Sequence, residues 1–263
     1  MPADVRRLGA ALVTGGGRRI GAEIARALAR LGQPVAVHHL RSAAEAEEVA
    51  ENIRRSGGAA RAVAGDLASP DGPAALVDRA AAALGPLTTL VNNASIFEHD
   101  GIGALDADLW NRQMAVNLRA PVFLIEAFAA QLPPGAQGCV VNIIDQRALR
   151  PTADFLSYTL AKCALLTATE TLAKALAPRI RVVAVGPGPT LPNGWQDAEA
   201  FARQQTSTPL ARGPSPFEIA EAVVYLLGAE NVTGVMIPVD GGQHLVGPAD
   251  DGGPALAESV RGA

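Results

Sequence analysis

The sequence predicts an α/β protein built on one parallel, doubly wound sheet of seven strands with helices on both faces. Three observations support this prediction. Short apolar runs alternate with Ala- and Leu-rich stretches of helical periodicity, hydrophobic residues make up 49% of the chain, and no linker interrupts the alternation. Apolar strands separated by helices are typical of a parallel sheet covered on both sides. The whole chain, residues 1–263, is therefore expected to form a single domain.

The spacing and composition of the residues indicate a helix, a loop, the two chain ends and seven strands. In the first helical stretch, apolar side chains recur at positions 20, 24, 28 and 31, which places them on one helix face. Residues 186–216 fall outside the pattern, are rich in Pro and Gly, and are expected to form a substrate loop. The ends, 1–8 and 247–263, are expected to be flexible. The predicted strands span residues 10–14, 34–39, 60–66, 89–92, 139–144, 180–185 and 235–239.

Composition narrows the partners and the compartment. A net charge of −4 without a basic stripe argues against nucleic acid and membrane as partners. No apolar run has the length of a signal peptide or a membrane span, and Cys139 and Cys163 stand alone in apolar surroundings, as reduced thiols do. The chain is therefore expected to be cytoplasmic. No metal site is expected, because the four histidines show no ligand spacing: His38, His39, His99 and His244.

The first strand leads into a glycine turn, residues 14–21, and then into a helix. This arrangement lets backbone N–H groups approach a pyrophosphate at the helix N-terminus, although a tight turn without a ligand is the alternative. Arg19 stands where the usual dinucleotide fingerprint has a glycine, and its guanidinium is suited to bind phosphate or to lie against a ring. The cofactor contacts predicted here are Gly15, Arg19, Ile20 and Gly21.

The end of the second strand indicates which cofactor binds. An NAD site places a carboxylate there for the ribose hydroxyls, whereas an NADP site uses cations for the 2′-phosphate. This chain has Arg41 and Ser42 in that position, with His38 and His39 before them and no acid until Glu45. The pattern predicts NADPH, with Arg41 and Ser42 as contacts of the 2′-phosphate and His38 and His39 as further cofactor contacts. A solvated loop arginine is the alternative.

Asp66 and Leu67 close the third predicted strand, where they are placed to meet the adenine edge of a dinucleotide. An aspartate at the end of a strand is often only a helix cap. Both residues are predicted as cofactor contacts.

Tyr158 and Lys162 form the clearest candidate for proton chemistry. The chain has only two tyrosines, and this one lies four residues before a lysine. Residues at that spacing share one helix face, and a nearby cation lowers the pKa of a phenol, which suits a proton donor. An accidental pair on a helix surface is the alternative.

Taken together, the glycine turn, the segment 91–94, Asn117 and the Tyr158/Lys162 pair resemble the short-chain dehydrogenase/reductase family over about residues 8–246. The resemblance implies a Rossmann-type fold, a nicotinamide cofactor and a homotetramer assembled through helices. It implies that Tyr158 donates a proton, that Lys162 holds the nicotinamide ribose, and that Asn117 supports a water relay. It further implies cofactor contacts at Asn93, Ala94, Ser95, Pro187 and Gly188.

One departure from the family pattern is informative. The family normally has a serine thirteen residues before the tyrosine, and here that position is Asp145. An ionised carboxylate cannot donate a hydrogen bond to a carbonyl oxygen and repels developing alkoxide charge. An aspartate paired with a tyrosine is better suited to relay protons to a ring nitrogen. A drifted serine in a weak or inactive carbonyl reductase is the alternative.

This aspartate narrows the resemblance to the pteridine reductase branch. Arg19, the segment 38–46 and the segment 93–97 are similar to that branch, and the resemblance implies that Phe97 sandwiches a flat heterocycle against the nicotinamide. The loop up to residue 216 does not resemble a pterin loop. The predicted substrate contacts are Arg19, Ser95, Phe97, Asp145 and Tyr158.

The sequence thus predicts an NADPH-dependent reductase of a pterin- or dihydrofolate-like C=N bond, with hydride from the nicotinamide and the proton through Tyr158, Asp145 and Lys162. Two alternatives remain. A ketone or 3-oxoacyl reductase would be expected to have serine at position 145. A non-catalytic NADPH-binding regulator would need neither Tyr158 nor Lys162.

Overall fold

The computed structural model describes residues 9–194 and 196–246. The predicted flexible ends, 1–8 and 247–263, lie outside the described residues. The strands are β1 (Ala10–Val13), β2 (Val35–His39), β3 (Ala60–Ala64), β4 (Leu87–Asn92), β5 (Gly138–Ile143), β6 (Ile180–Pro187) and β7 (Met236–Val239). All are parallel and form one sheet in the order β3-β2-β1-β4-β5-β6-β7. This order confirms the predicted doubly wound, Rossmann-type fold class.

Helices connect the strands. They are α1 (Arg19–Arg30), α2 (Ala43–Arg55), α3 (Gly72–Leu84), α4 (Ala107–Met114), α5 (Ala120–Gln131), α6 (Leu156–Leu176), α7 (Ala198–Thr206) and α8 (Pro216–Gly228). A π-helical turn, Ala115–Arg119, joins α4 to α5.

Apolar side chains cover both faces of the sheet. Val13 and its neighbours on one face pack against α1, α2 and α8. Leu12 and its neighbours on the other face pack against α3, α5 and the end of α6. Consecutive residues of a strand point to opposite faces, so a fully apolar strand fills both layers. Each fully buried Leu or Val stabilises the fold by about 1.5–3 kcal/mol.

Three strand boundaries differ from the prediction by two residues, and the other differences are of one residue. β3 ends at Ala64 rather than at 66, and β4 begins at Leu87 rather than at 89. β6 continues to Pro187, because Gly186 and Pro187 pair with β7. The predicted loop 186–216 also contains a helix, α7, whose first turn is capped by the Asp197 carboxylate at 2.7 Å from the Ala200 nitrogen.

The sheet order positions the candidate site. From β1 the chain proceeds outward to β2 and β3, and then returns to the other side of β1 as β4. The loops after β1 and β4 therefore diverge and leave a crevice at the carboxyl ends of the strands, which is the usual ligand position in such sheets.

Candidate active site

A cleft of about 980 Å³ lies at this switch point. Its volume is at the upper end of the range for small-molecule and cofactor sites. All of the predicted site residues except Asn117 line this cleft. They are Gly15, Arg19, Ile20, Gly21, His38, His39, Arg41, Ser42, Asp66, Leu67, Asn93, Ala94, Ser95, Phe97, Asp145, Tyr158, Lys162, Pro187 and Gly188.

The glycine turn is held tightly against the segment after β4. Gly15 has a φ of +62°, and a Cβ at Gly21 would lie 2.3 Å from the carbonyl oxygen of Gly15. The Asn93 side-chain amide donates to the carbonyl oxygens of Thr14 and Gly15 at 2.9 and 3.2 Å. Within the described residues, no side chain caps the N-terminus of α1. The turn therefore has the shape and the uncapped amides that a pyrophosphate requires.

Arg19 adopts a backbone conformation that favours glycine, with a φ of +53°. Its guanidinium reaches across the cleft and donates to the carbonyl oxygens of Leu191 and Pro192 at 3.3 and 3.1 Å. Arg19 thus links the glycine turn to the loop after β6. Its predicted contacts with phosphate or substrate stay predictions.

His38 differs from the prediction that it assists phosphate binding. Its Nδ1 accepts a hydrogen bond from the Gly15 nitrogen at 3.0 Å, and its Nε2 lies 3.1 Å from the carbonyl oxygen of Gly65. Burial lowers the pKa of His38 to about 4, so the ring is neutral at pH 7. His38 lines the cleft as a link between the glycine turn and the end of β3, because both ring nitrogens are already in use.

The remaining residues near α2 fit a phosphate. Ser42 is the N-cap of α2, its side chain makes no capping bond, and the exposed Arg41 precedes it. Within the described residues, the buried Nδ1 of His39 has no hydrogen-bond partner. Arg18, which the sequence analysis did not single out, also lines the cleft and lies 3.7 Å from Glu45. Cations, a hydroxyl and helix amides are the donors that suit a 2′-phosphate.

Asp66 serves in part as a local cap. Its Oδ1 accepts a hydrogen bond from the Ala68 nitrogen at 2.8 Å, while the residue also lines the cleft. Leu67 is buried beside it. Both residues lie at the end of the cleft next to β3, and their predicted contact with adenine stays a prediction.

Asp145 and Tyr158 are in direct contact. The Tyr158 hydroxyl donates to Oδ2 of Asp145 at 2.7 Å, and Oδ1 of Asp145 accepts from the Arg147 nitrogen at 2.8 Å. Tyr158 is almost fully buried, and it is held in place because it lies on the first turns of α6. The carboxylate therefore orients the phenol, and its own position is fixed by the short 3₁₀ turn that it caps.

The predicted effect of Lys162 on the phenol is wrong for this structure. Burial and the adjacent Asp145 raise the pKa of Tyr158 well above its usual value. The Lys162 ammonium lies 5.6 Å from the centre of the Tyr158 ring and donates to the carbonyl oxygen of Ile143 at 2.9 Å. Burial also lowers the pKa of Lys162 to about 8, which weakens it as a cation above neutral pH. Tyr158 is thus a neutral acid rather than an incipient phenolate.

Phe97 belongs to an aromatic cluster. Its ring stacks on Phe155 with a centroid separation of 4.2 Å and meets the Tyr158 ring edge-on at 4.7 Å. Phe155 is fully buried and has a φ of +56° at the start of α6. One face of Phe97 is therefore covered by protein, and the predicted sandwich of a heterocycle is limited to the other face.

Asn117 lies behind the cleft wall, in the π-helical turn. Its Oδ1 accepts from the Ser95 hydroxyl at 3.0 Å and from the Ile96 nitrogen at 2.9 Å, and its Nδ2 donates to the Ile96 carbonyl oxygen at 2.8 Å. The side chain thus fixes the segment that carries Ser95 and Phe97. Its predicted role in a water relay stays a prediction.

Several lining residues were not found from the sequence. Among them is the buried Arg147, which is 4% exposed, follows Asp145 by two residues and lies near the Phe97 ring. Gln146 and residues of the loop after β6 also line the cleft. Arginine on a turn is ordinarily a solvated residue, so only the three-dimensional contacts distinguish Arg147. Among the described residues there is no cluster of three or more side chains that could bind a metal ion, and no helix is both long and apolar enough to cross a membrane.

Comparisons with known proteins agree with this geometry. A family model described as short chain dehydrogenase matches residues 9–202. The crystal structure of FolM alternative dihydrofolate reductase 1 from Brucella suis, in complex with NADP, is 48% identical with a TM-score of 0.90, covering 94% of this chain and 99% of that chain. Its namesake from Brucella canis, complexed with NADP, is 47% identical with a TM-score of 0.87, covering 95% and 99%. Angucycline C-6 ketoreductase LanV with bound NADP is 31% identical with a TM-score of 0.83, covering 90% and 96%.

Proposed function

The chain belongs to the short chain dehydrogenase family, and we propose that this oxidoreductase is an NADPH-dependent reductase of a C=N bond in a pterin- or dihydrofolate-like ring. The hydrogen bond of 2.7 Å between Tyr158 and Asp145 carries the proposal. It joins a neutral phenol to a carboxylate where the family pattern expects a serine hydroxyl. The two Brucella relatives are named alternative dihydrofolate reductase, and this name supports a dihydrofolate-like ring as the substrate.

The chemistry needs a hydride on a ring carbon and a proton on the adjacent nitrogen. NADPH, when bound, supplies the hydride. Tyr158 holds a proton at its hydroxyl oxygen, and Asp145 orients that hydroxyl through the hydrogen bond. When the proton moves to the ring nitrogen, the negative charge that it leaves behind rests on the phenol oxygen. Tyr158 and Lys162 are buried and Phe97 beside them is half-buried, so water has little access to this point, which strengthens each electrostatic contact.

The cofactor preference follows from the donors around α2. Arg41, Ser42 and the uncapped N-terminus of α2 suit a 2′-phosphate, and Gly15, Ile20 and Gly21 suit a pyrophosphate. The family resemblance assigns the nicotinamide ribose to Lys162, which lines the cleft together with Asn93, Ala94, Pro187 and Gly188. The two Brucella relatives bind NADP, which is consistent with this assignment.

The test is oxidation of NADPH by purified protein with dihydrobiopterin, dihydrofolate, dihydromonapterin and simple ketones. Turnover of at least one heterocycle well above that of the ketones is the expected outcome. Activity on ketones alone would contradict the proposal and favour the second candidate, an NADPH-dependent ketone reductase, which the similarity to LanV supports. Binding of NADPH without turnover of any substrate would favour a regulator.

We further propose a homotetramer and a cytoplasmic location. The exposed Phe123 on α5 and Leu160 on α6 are apolar side chains that the sheet does not cover, and an interface between copies of the chain would remove them from water. A monomer in light scattering at micromolar concentration would contradict the first proposal. Recovery with the membrane fraction after cell lysis would contradict the second.

A further inference from the structure

Arg147 is connected to the proton-donating pair through its backbone. It lies in the 3₁₀ turn Gln146–Ala148, directly after β5. Its nitrogen donates to one carboxylate oxygen of Asp145 while Tyr158 donates to the other. The side chain is 4% exposed and lines the cleft. A buried guanidinium is costly unless something nearby compensates for it, so this placement calls for a physical reason.

The guanidinium lies against the two stacked phenyl rings. Its central carbon is 5.2 Å from the centre of the Phe155 ring and 5.9 Å from that of Phe97. Its Nη1 also donates to the Thr152 hydroxyl. A cation near aromatic rings is stabilised by several tenths of a kcal/mol at the surface and by about 2 kcal/mol when water is excluded. Arg147 therefore holds the two stacked rings, of which Phe97 lines the cleft next to Tyr158.

The guanidinium also acts on the Asp145–Tyr158 pair at a distance. Burial and Asp145 raise the pKa of Tyr158, and Arg147 is the charge that opposes them. Among residues 9–194 and 196–246, further ionisable groups lie near the pair and the rings on α6, on the turn before it and after β4: Lys162, Cys163, Asp154 and His99. The His99 ring packs edge-on against Phe155 with a centroid separation of 5.0 Å, and its Nε2 lies 4.0 Å from Asp154.

We propose that Arg147 is a positioning residue of this reductase: it holds the Phe97–Phe155 stack against Tyr158 and supplies the positive charge that balances Asp145 during proton delivery. The proposal rests on the proposed function. It explains why a cation is buried beside a carboxylate that would otherwise repel an electron-rich ring. It also assigns a role to a turn residue that carries no recognisable motif.

The test compares Arg147→Met with Arg147→Lys. Removal of a positive charge raises the pKa of every neighbouring ionisable group, so in Arg147→Met the pH profile of kcat/KM should move to higher pH by about one unit. Arg147→Lys keeps the charge but not the planar group, so its profile should stay in place while KM rises. A purely structural role would lower activity without moving the profile.

Arg150→Met is the matched control. Arg150 lies three residues later, is exposed, and is not among the residues that line the cleft. Arg150→Met changes the net charge of the protein by the same amount as Arg147→Met, but at a position outside the cleft. The pH profile of kcat/KM in Arg150→Met should therefore match that of the wild type. An unmoved profile in Arg147→Met, or an equal displacement in Arg150→Met, would overturn the proposal. If Arg147→Met does not fold, Arg147→Gln carries the same test.

A second readout does not need turnover. The chain has two tyrosines, so ¹³Cζ-labelled tyrosine gives two NMR signals, and the exposed Tyr225 serves as an internal reference for Tyr158. The Tyr158 signal should shift in Arg147→Met and stay unchanged in Arg150→Met. If the wild type reduces no substrate of the panel, the proposed function fails. An unchanged Tyr158 signal in Arg147→Met overturns the role of Arg147 separately.

Discussion

The backbone nitrogen of Gly15 donates a hydrogen bond to Nδ1 of His38 at 3.0 Å, and this contact joins the glycine turn to the end of β2. The acceptor nitrogen must be unprotonated for the bond to form. His38, which the sequence predicted as a cofactor contact, is therefore a neutral hydrogen-bond acceptor that stabilises the glycine turn.

This contact predicts a loss of stability in acid. Burial lowers the pKa of His38 to about 4, below its value of 6.5 in the unfolded chain. The contribution of His38 is therefore complete above pH 6.5 and is lost as the pH falls towards 4, by at most about 3 kcal/mol. The free energy of unfolding, measured in urea at pH 7 and at pH 4.5, tests this prediction. It should differ less between the two pH values in His38→Gln than in the wild type. An equal difference in both proteins would show that His38 is not the group responsible.

Lys162 predicts an alkaline limit to activity. Burial lowers its pKa to about 8, so the ammonium loses its charge as the pH rises through that value. The kcat/KM for NADPH reports the free enzyme and should fall above about pH 8. Arginine keeps its charge at every accessible pH, so any activity left in Lys162→Arg should lack this fall. A fall at the same pH in both proteins would show that another group titrates.

Asp145→Ser separates the two candidate substrate classes. The change removes the carboxylate that supports proton delivery to nitrogen, and pterin turnover should fall by about 10²-fold or more. It also restores a hydroxyl donor and removes a negative neighbour, so turnover of a simple ketone should stay level or rise. Tyr158→Phe is the control, because it should lower both activities while leaving NADPH affinity nearly intact. An equal loss of both activities in Asp145→Ser would indicate a structural aspartate.

Arg41→Ala tests the cofactor assignment. A charged hydrogen bond to the 2′-phosphate contributes about 1.5–3 kcal/mol, and NADH has no such phosphate. The dissociation constant for NADPH should therefore increase far more than that for NADH, as measured by fluorescence titration. Arg61→Ala, a change of an exposed arginine in β3 that does not line the cleft, is the control. Equal weakening of both cofactors by Arg41→Ala would mean that Arg41 does not bind the 2′-phosphate.

Features that depend on local periodicity were predictable from the sequence. The apolar runs located all seven strands, and the spacing of Tyr158 and Lys162 placed both on one face of α6, where the structure has them. Helix α7 was not predicted, because a nine-residue helix between Pro- and Gly-rich segments leaves little periodic signal. Its cap, Asp197, was the one available sign.

Features that depend on contacts between distant segments were not predictable. His38 meets Gly65, and Asn117 meets Ser95, over sequence separations of 27 and 22 residues. Phe155 covers one face of Phe97 only because its backbone turns into the left-handed region at the start of α6. The pKa of Tyr158 rises rather than falls because burial and the Asp145 carboxylate outweigh the charge of Arg147. None of these effects follows from residue type alone.

The contacts of Arg19 have a consequence for the loop after β6. Its guanidinium donates to the carbonyl oxygens of Leu191 and Pro192, while its backbone belongs to the glycine turn. A guanidinium has five N–H donors, and these two contacts use one hydrogen on each terminal nitrogen. If a dinucleotide in the turn drew the side chain away from the two carbonyl oxygens, the loop after β6 would lose both contacts. The position of that loop would then depend on whether the cofactor is bound.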